Sequence, residues 1–151
     1  MISENLQKAI DSLRIVDVYV QEVLAKSYEG FDPKRSSFDN LVLQTKHFVR
    51  TYEKITEVDT ENRLLRVYLD MGTRWVDESS SEDDEIVKAV IEASFIAEYS
   101  IITSLEEESL DEFASLNASY HVWPYWRELL ASQCDRMRLP RVMLPTVQFL
   151  K

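Results

Sequence analysis

The segment from Val87 to Ile101 alternates between two kinds of residue along its whole length. Its odd-numbered positions are all apolar or aromatic: Val87, Ala89, Ile91, Ala93, Phe95, Ala97, Tyr99 and Ile101. Successive side chains of a β-strand point to opposite faces, so this period of two places the whole set on one face of a long strand. The other face reads Lys88, Val90, Glu92, Ser94, Ile96, Glu98 and Ser100. We therefore expect a sheet with one covered face and one face largely open to solvent.

Three earlier segments also read as strands. Alternation places Leu41, Leu43, His47 and Val49 on one face of a second strand, and Leu65, Val67, Leu69, Met71 and Trp75 on one face of a third. In this pattern His47 is predicted to be a core histidine. The segment from Leu13 to Leu24 is rich in Val, Ile and Tyr, but its alternation is imperfect, which predicts a bulge near Asp17.

After Leu105 the period of the apolar residues changes from two to about four, which indicates helices. Ser109 is a predicted N-cap for a helix that ends near Leu116. Pro124 suits the first position of a second helix, which Pro140 ends after an apolar stripe that includes Cys134 and Met137. Residues 2–12 predict a short amphipathic helix that begins after Ser3.

This order of elements predicts a single α+β domain over residues 1–151. We expect a four-stranded antiparallel sheet with two C-terminal helices on one face, plus the short N-terminal helix over residues 1–12 as an extension. Residues 77–84 hold five acids in eight positions and predict a mobile acidic loop.

Composition argues against several classes of function. The net charge of -10 repels nucleic acids and anionic membranes, so neither is an expected partner. One cysteine and the lack of a signal-peptide pattern predict a cytoplasmic protein. With two glycines, the chain has no phosphate-binding loop. His47 is assigned to the core, and His121 has no Cys or carboxylate partner at ligand spacing, so we expect no metal, no cofactor and no catalytic residues.

The segment from Asn117 to Phe149 resembles one family. Its motif is Trp123-Pro124-Tyr125-Trp126-Arg127-Glu128, followed by Pro140 and a hydrophobic tail that reaches Phe149. This pattern is similar to the Phe-Pro-Tyr-x-Arg-Glu motif and closing tail of the SecB export chaperones. Phe95-Ile96-Ala97-Glu98 also resembles the Phe-Leu-x-Glu motif of that family. The order of elements, with strands first and helices last, is the same.

The resemblance implies an ATP-independent holdase chaperone that binds unfolded or nascent polypeptides, in protein export or in the protection of antitoxins. The polypeptide-binding groove would be lined by Tyr28, Phe31, Phe38, Trp123, Tyr125 and Trp126. The resemblance also implies a tetramer, with Phe113 and Leu116 at the oligomer interface. Two alternatives involve no groove. The aromatics of the loop could serve only to hold the loop against the domain, and the aromatics of the helix could belong to the core.

A partner-binding face for the translocase motor SecA would include Glu22, Ile96 and Glu98. Three departures from the family predict weak SecA binding: the missing glycine pair after this motif, an unclear acidic register in the first strand, and the absence of a polar tail before the end at Lys151. An alternative function is a dedicated interaction module for one partner, such as an antitoxin. Enzymatic activity is the least expected of these functions.

Overall fold

The structure is a computed structural model that describes residues 1–79 and 86–144. It contains the predicted short N-terminal helix, four strands and two later helices, in the order α1 (Glu4–Ser12), β1 (Leu13–Ser27), β2 (Leu41–Thr56), β3 (Arg63–Asp77), β4 (Ile86–Ile101), α2 (Glu107–Leu116) and α3 (Ala118–Met137). The predicted fold class is confirmed. Most of the predicted acidic loop, and the tail with Pro145 and Phe149, lie outside the described residues.

The four strands form one antiparallel sheet in the order β1-β4-β3-β2. Strands β2, β3 and β4 follow one another as a meander, whereas β1 pairs with β4. The loop 28–40 therefore connects the two opposite edges of the sheet. The predicted bulge near Asp17 is confirmed by a register shift between Ile15 and Asp17. Further shifts, between Val20 and Glu22 and between Val49 and Thr51, were not predicted from the sequence.

The core lies between the sheet and the helices. The predicted inward positions of β3 are buried, with Leu65, Val67, Leu69 and Met71 at 0% exposure, and those of β4 from Ala89 to Tyr99 are at 3% or less. We call this side of the sheet the helix-bearing face and the other side the open face. Because β4 lies between two neighbouring strands, even its open-face residues Val90 and Ile96 are only 4% and 6% exposed.

Both C-terminal helices begin earlier than predicted. Helix α2 starts at Glu107, so Ser109 is not the N-cap but a buried residue within the helix. Helix α3 starts at Ala118 and contains Pro124 in its interior. A proline there removes one helical hydrogen bond and costs about 3 kcal/mol. Burial offsets this cost, because the turns on both sides of Pro124 place six residues in the core, namely Ala118, Val122, Trp123, Trp126, Leu130 and Cys134.

Helix α1 packs on α2 and contributes to the same core. Ser3 caps it as predicted, because the Leu6 backbone N–H donates to the Ser3 hydroxyl at 3.0 Å. Leu6 and Ala9 are buried against the core. At its end, the Ser12 hydroxyl donates to the Thr103 carbonyl at 2.6 Å and accepts from the Thr103 N–H at 2.9 Å. The start of β1 is thereby fixed to the segment that leaves β4.

Helix α2 is held over the sheet by a polar contact and an aromatic contact. The Tyr52 hydroxyl donates to the Asp111 carboxylate, and burial, followed by this hydrogen bond, raises the pKa of Tyr52 to about 12. The Phe113 ring packs edge-on against Tyr99, with ring centroids 4.9 Å apart. These contacts join α2 to β2 and to β4, so the helix covers one end of the helix-bearing face.

Candidate functional site

The three aromatics of the loop 28–40 occupy two different environments. Phe31 and Phe38 are half-buried against the core, and their rings meet edge-to-face with centroids 5.5 Å apart. Tyr28 is 37% exposed and lies beneath the Lys26 ammonium group, which is 4.8 Å from the ring centroid. The two phenylalanines therefore attach the loop to the domain, while Tyr28 offers an accessible ring.

The backbone around these rings is well supported. The Tyr28 N–H continues the sheet by donating to the Lys88 carbonyl at 2.9 Å, and Gly30 adopts the left-handed φ of 86° that its missing side chain allows. The Asp32 carboxylate accepts from the Lys34 N–H and pairs with Arg35 at 3.1 Å. The hydrogen bond from Arg35 lowers the pKa of Asp32. Accordingly, the loop has a defined conformation at its first turn.

The three residues of α3 that were predicted to line the groove differ in exposure. Trp126 is 1% exposed and belongs to the core, which was one of the two alternatives that the sequence left open. A residue so deeply buried does not line an open groove. Trp123 is 9% exposed and packs edge-on against His47, with ring centroids 5.5 Å apart. Of this set, Tyr125 is the accessible one, at 50% exposure. Its role in a groove remains a prediction.

His47 lies on the predicted face of β2, but the prediction of a core histidine was wrong. The residue is exposed, because β2 is an edge strand and Trp123 of α3 covers only part of its ring. The other histidine, His121, lies within α3 and its Nδ1 is 2.8 Å from the Tyr99 hydroxyl. Burial raises the pKa of Tyr99 and lowers the pKa of His121, so two neutral groups share this hydrogen bond at pH 7.

The open face does not present Ile96 as an accessible residue. Register places Ile96 between Tyr19 of β1 and Tyr68 of β3, and its exposure is 6%. The two neighbouring phenol rings flank it, because directly paired residues share a face of the sheet. Burial and then the charge of Glu98 raise the pKa of Tyr19. An aromatic surface with a buried isoleucine at its centre replaces the isolated apolar side chain expected from the sequence.

Glu98 is engaged within the domain. Its carboxylate accepts from the Arg66 guanidinium at 2.9 Å, and the Glu98 side chain is 14% exposed. Arg66 also lies 3.8 Å from the Glu53 carboxylate, which accepts from the Tyr68 hydroxyl at 2.8 Å. Hydrogen bonds with Tyr68 and Glu98 raise the pKa of Arg66. This network neutralises the acid that the family resemblance assigned to a partner.

Glu22 is exposed and lies beside a shallow hollow of about 140 Å³ on the open face. The charged residues around it are also paired. Lys46 lies 3.3 Å from the Glu92 carboxylate, and Arg50 lies 3.3 Å from that of Asp70. Ser94 donates to Asp70 at 2.7 Å. Lys46, Glu92, Arg50 and Asp70 beside this hollow therefore form ion pairs within the domain.

The edge strands carry exposed apolar side chains that the sequence interpretation did not single out. On β1, Ile15, Val20 and Val23 pair with core residues of β4 and so lie on the helix-bearing face, yet they are 50%, 40% and 43% exposed. On β2, Leu43 is 42% exposed on the same face. The helices cover the middle of the sheet and leave parts of both margins exposed. The signal in the sequence was the richness of β1 in Val and Ile.

A second accessible hollow lies between α3 and the segment 141–144, with a volume of about 540 Å³. Its walls include Pro124, Arg127 and Glu128 from the family-like motif, and Val142, Met143 and Leu144 from the segment that follows Pro140. Arg127 and Glu128 thus border a groove of mixed polar and apolar character.

The two residues predicted at an oligomer interface lie in different places. Phe113 is 2% exposed within the domain, in contact with Tyr99, and is a core residue. Leu116 is 46% exposed at the end of α2 and is available for contact with another molecule. Association through Leu116 remains a prediction.

The described part of the chain lacks the features expected of a metal site, a reactive thiol or a membrane-spanning helix. Across residues 1–79 and 86–144, no three His, Cys, Asp or Glu side chains come together as metal ligands. Cys134 is buried, and burial raises the pKa of its thiol. Within the same ranges, no helix is both long and apolar enough to cross a bilayer.

Comparison with solved structures identifies the architecture. The chain matches a SecB-like chaperone of Mycobacterium tuberculosis, solved in complex with a ChAD peptide from the HigA1 antitoxin, with a TM-score of 0.74. The match covers 99% of this chain and 100% of the other, at 15% sequence identity. The chain has a SecB-like fold. At this identity the likeness concerns the fold alone.

A crystal structure of a protein of unknown function from Streptococcus agalactiae matches with a TM-score of 0.36 and 10% identity, over 91% of this chain and 97% of that one, and carries no argument. No protein-family model matches the sequence. No curated protein matches it either.

Proposed function

We propose that this chain is a SecB-like, ATP-independent holdase that binds non-native polypeptides. The observation that carries the proposal is the row of exposed apolar side chains on the edge strand β1, with Ile15, Val20 and Val23 on the helix-bearing face. An edge strand also presents unpaired backbone N–H and C=O groups. Together these features suit an extended chain that adds to the sheet by β-augmentation.

The energetics of such a surface favour weak, general binding. Each large apolar client side chain that becomes fully buried contributes about 1.5 to 3 kcal/mol, and ordering the client costs several kcal/mol in return. Backbone hydrogen bonds supply affinity without regard to sequence. A single surface therefore binds many unfolded clients weakly, and several surfaces on one assembly bind one client tightly through avidity.

We propose that the chain forms a homo-oligomer, most simply a tetramer as the family resemblance implies. The exposed margin of β1 and Leu116 of α2 are the surfaces that association would cover. Tyr28 and Tyr125 are the accessible aromatics proposed for client contact. We also propose a cytoplasmic location, based on the single cysteine.

A second candidate is a dedicated module for one partner, such as an antitoxin. It is favoured by a specific observation, because the structural neighbour was solved with a peptide from an antitoxin. A role in export through SecA has less support. Ile96 is buried, and Glu98 is paired with Arg66, so neither offers a free contact on the open face.

The test is capture of a chemically unfolded reporter enzyme, diluted into buffer that contains the protein and no nucleotide. We expect suppression of reporter aggregation, and no binding of the same reporter in its folded form. Several unrelated unfolded reporters separate the two candidates. Suppression of all of them supports a holdase, whereas suppression of none argues against it and leaves the dedicated module.

A further inference from the structure

A hollow of about 270 Å³ lies at one corner of the helix-bearing face, beside the turn 57–62 that joins β2 to β3. Its apolar wall includes Ile101 at the end of β4, Leu105 in the segment before α2, and Leu110 of α2. Its polar wall includes Lys54, Arg63 and Ser104. The site is separate from the edge-strand residues of β1 and from the groove beside α3.

The two cations occupy positions where the rest of the sheet has apolar residues. Lys54 of β2 pairs directly with Leu65, which is fully buried in the core, so the two residues share the helix-bearing face. Arg63 lies two residues before Leu65 on the same strand and therefore points to the same side. Its guanidinium donates to the Ser104 hydroxyl at 3.0 Å, which orients the group at the rim of the hollow.

Among residues 1–79 and 86–144, acidic side chains do not neutralise these cations. The chain has ten more acidic than basic residues, yet the ion pairs formed by described residues leave out both Lys54 and Arg63. None of the described residues that line the hollow carries a carboxylate. By contrast, the cations Lys46, Arg50 and Arg66 of the open face all have acidic partners. The hollow therefore combines positive charge with an apolar wall.

We infer that this hollow binds the C-terminal residue of a client polypeptide, with the α-carboxylate on Lys54 and Arg63 and an apolar side chain against Leu105 and Leu110. The inference rests on the proposed polypeptide-binding function. A carboxylate and an apolar side chain carried by one residue occur together at a chain terminus, whereas Asp and Glu bring a carboxylate without an apolar branch. The volume is just below the usual range of ligand pockets, which begins at about 300 Å³, and suits a single residue rather than a longer segment.

The direct test compares two forms of one short fluorescein-labelled peptide. The peptide alternates Val and Thr and ends in Leu, with either a free carboxylate or a C-terminal amide. Fluorescence anisotropy with the unaltered protein measures both affinities. We expect the amide to bind about tenfold more weakly, because it loses charge-assisted hydrogen bonds to two cations. In each of the single variants Lys54→Met and Arg63→Met, the ratio between the affinities of the acid and the amide should fall to about twofold or less. Lys8→Met, which removes an exposed lysine from α1, serves as the matched control and should preserve it.

Three other outcomes overturn the inference, and they separate it from the proposed function. Equal, measurable binding of acid and amide by the unaltered protein removes the terminal-carboxylate site but leaves the holdase intact. Recovery of affinity by the amide peptide when an internal Thr is replaced by Glu shows that the hollow accepts any carboxylate and does not recognise the terminus. Failure of both forms to bind, together with failure to capture unfolded reporters, overturns the proposed function as well. The comparison of acid and amide does not depend on whether any variant folds.

Discussion

Replacing Val20 and Val23 by lysine tests the role of the β1 edge most directly. The two side chains are 40% and 43% exposed on the helix-bearing face. Complete burial of a valine contributes about 1.5 kcal/mol, so covering the remaining two fifths contributes roughly 0.6 kcal/mol at each position. Loss of both therefore weakens client binding about eightfold. Lysine on an edge strand also opposes pairing with a further strand, which makes this value a lower limit.

The assay is a titration of a fluorescent unfolded client with Val20→Lys/Val23→Lys, alongside thermal unfolding and light scattering. Thermal stability should fall by only a few degrees, because neither side chain is in the core. Light scattering reports whether the same edge also joins two copies of the chain. A particle of 17.7 kDa for the unaltered protein at micromolar concentration would contradict the proposed oligomer.

The matched control is Ile2→Lys/Val58→Lys, which changes the net charge equally at two exposed apolar positions outside the strands. If this control weakens client binding as much as the edge variant, the effect is one of charge. If the edge variant binds clients as tightly as the unaltered protein, β1 is not a client surface and our reasoning from its exposed margin fails.

Three further predictions concern the core and the open face. Trp126→Ala should destabilise the domain by about 3 to 5 kcal/mol in denaturant unfolding, whereas Tyr125→Ala should change it by less than about 1 kcal/mol; similar losses would refute the assignment of the first to the core. Glu98→Lys should leave client capture nearly unchanged and abolish any residual SecA binding; submicromolar SecA binding that survives it would show a contact elsewhere. The pKa of His121 is lowered on folding, so neutral His121 contributes to stability above about pH 6.5. This contribution is lost as the pH falls through the lower pKa that the residue has in the folded state. Melting temperatures measured from pH 7 to pH 5 should therefore fall less in His121→Asn, which keeps an acceptor for Tyr99, than in the unaltered protein; parallel curves would assign the titration to another group.

The strands were predictable because a single physical rule, alternation about a half-buried sheet, governs them. That rule correctly gave the buried faces of β3 and β4. It was wrong about His47 because alternation identifies the face of a strand and not how completely a helix covers it. Likewise, Ile96 alternates with polar residues, and only the pairing of β4 between Tyr19 and Tyr68 buries it.

The helix starts show a different limit. A proline is most favourable at the first position of a helix, so local preference placed the start at Pro124. The apolar residues on both sides of it, Val122 and Trp126, are buried in one core, and their tertiary contacts decided the outcome. The exposed margin of β1 was hidden for a related reason. Sequence identifies Val20 and Val23 as strand residues, but only the positions of α2 and α3 leave them uncovered.

The connection of β1 to β2 across the whole width of the sheet has a consequence for how the chain folds. Residues that pair in β1 and β4 are far apart in sequence, with Leu13 opposite Ile101, whereas β2 pairs with β3 and β3 with β4. Closing a longer loop costs more entropy, so the three-stranded meander should assemble first and β1 should join it late. During synthesis β1 emerges from the ribosome first and waits for β4, with its valines and isoleucines uncovered. Pulsed hydrogen exchange during refolding should therefore protect the amides of β3 before those of β1.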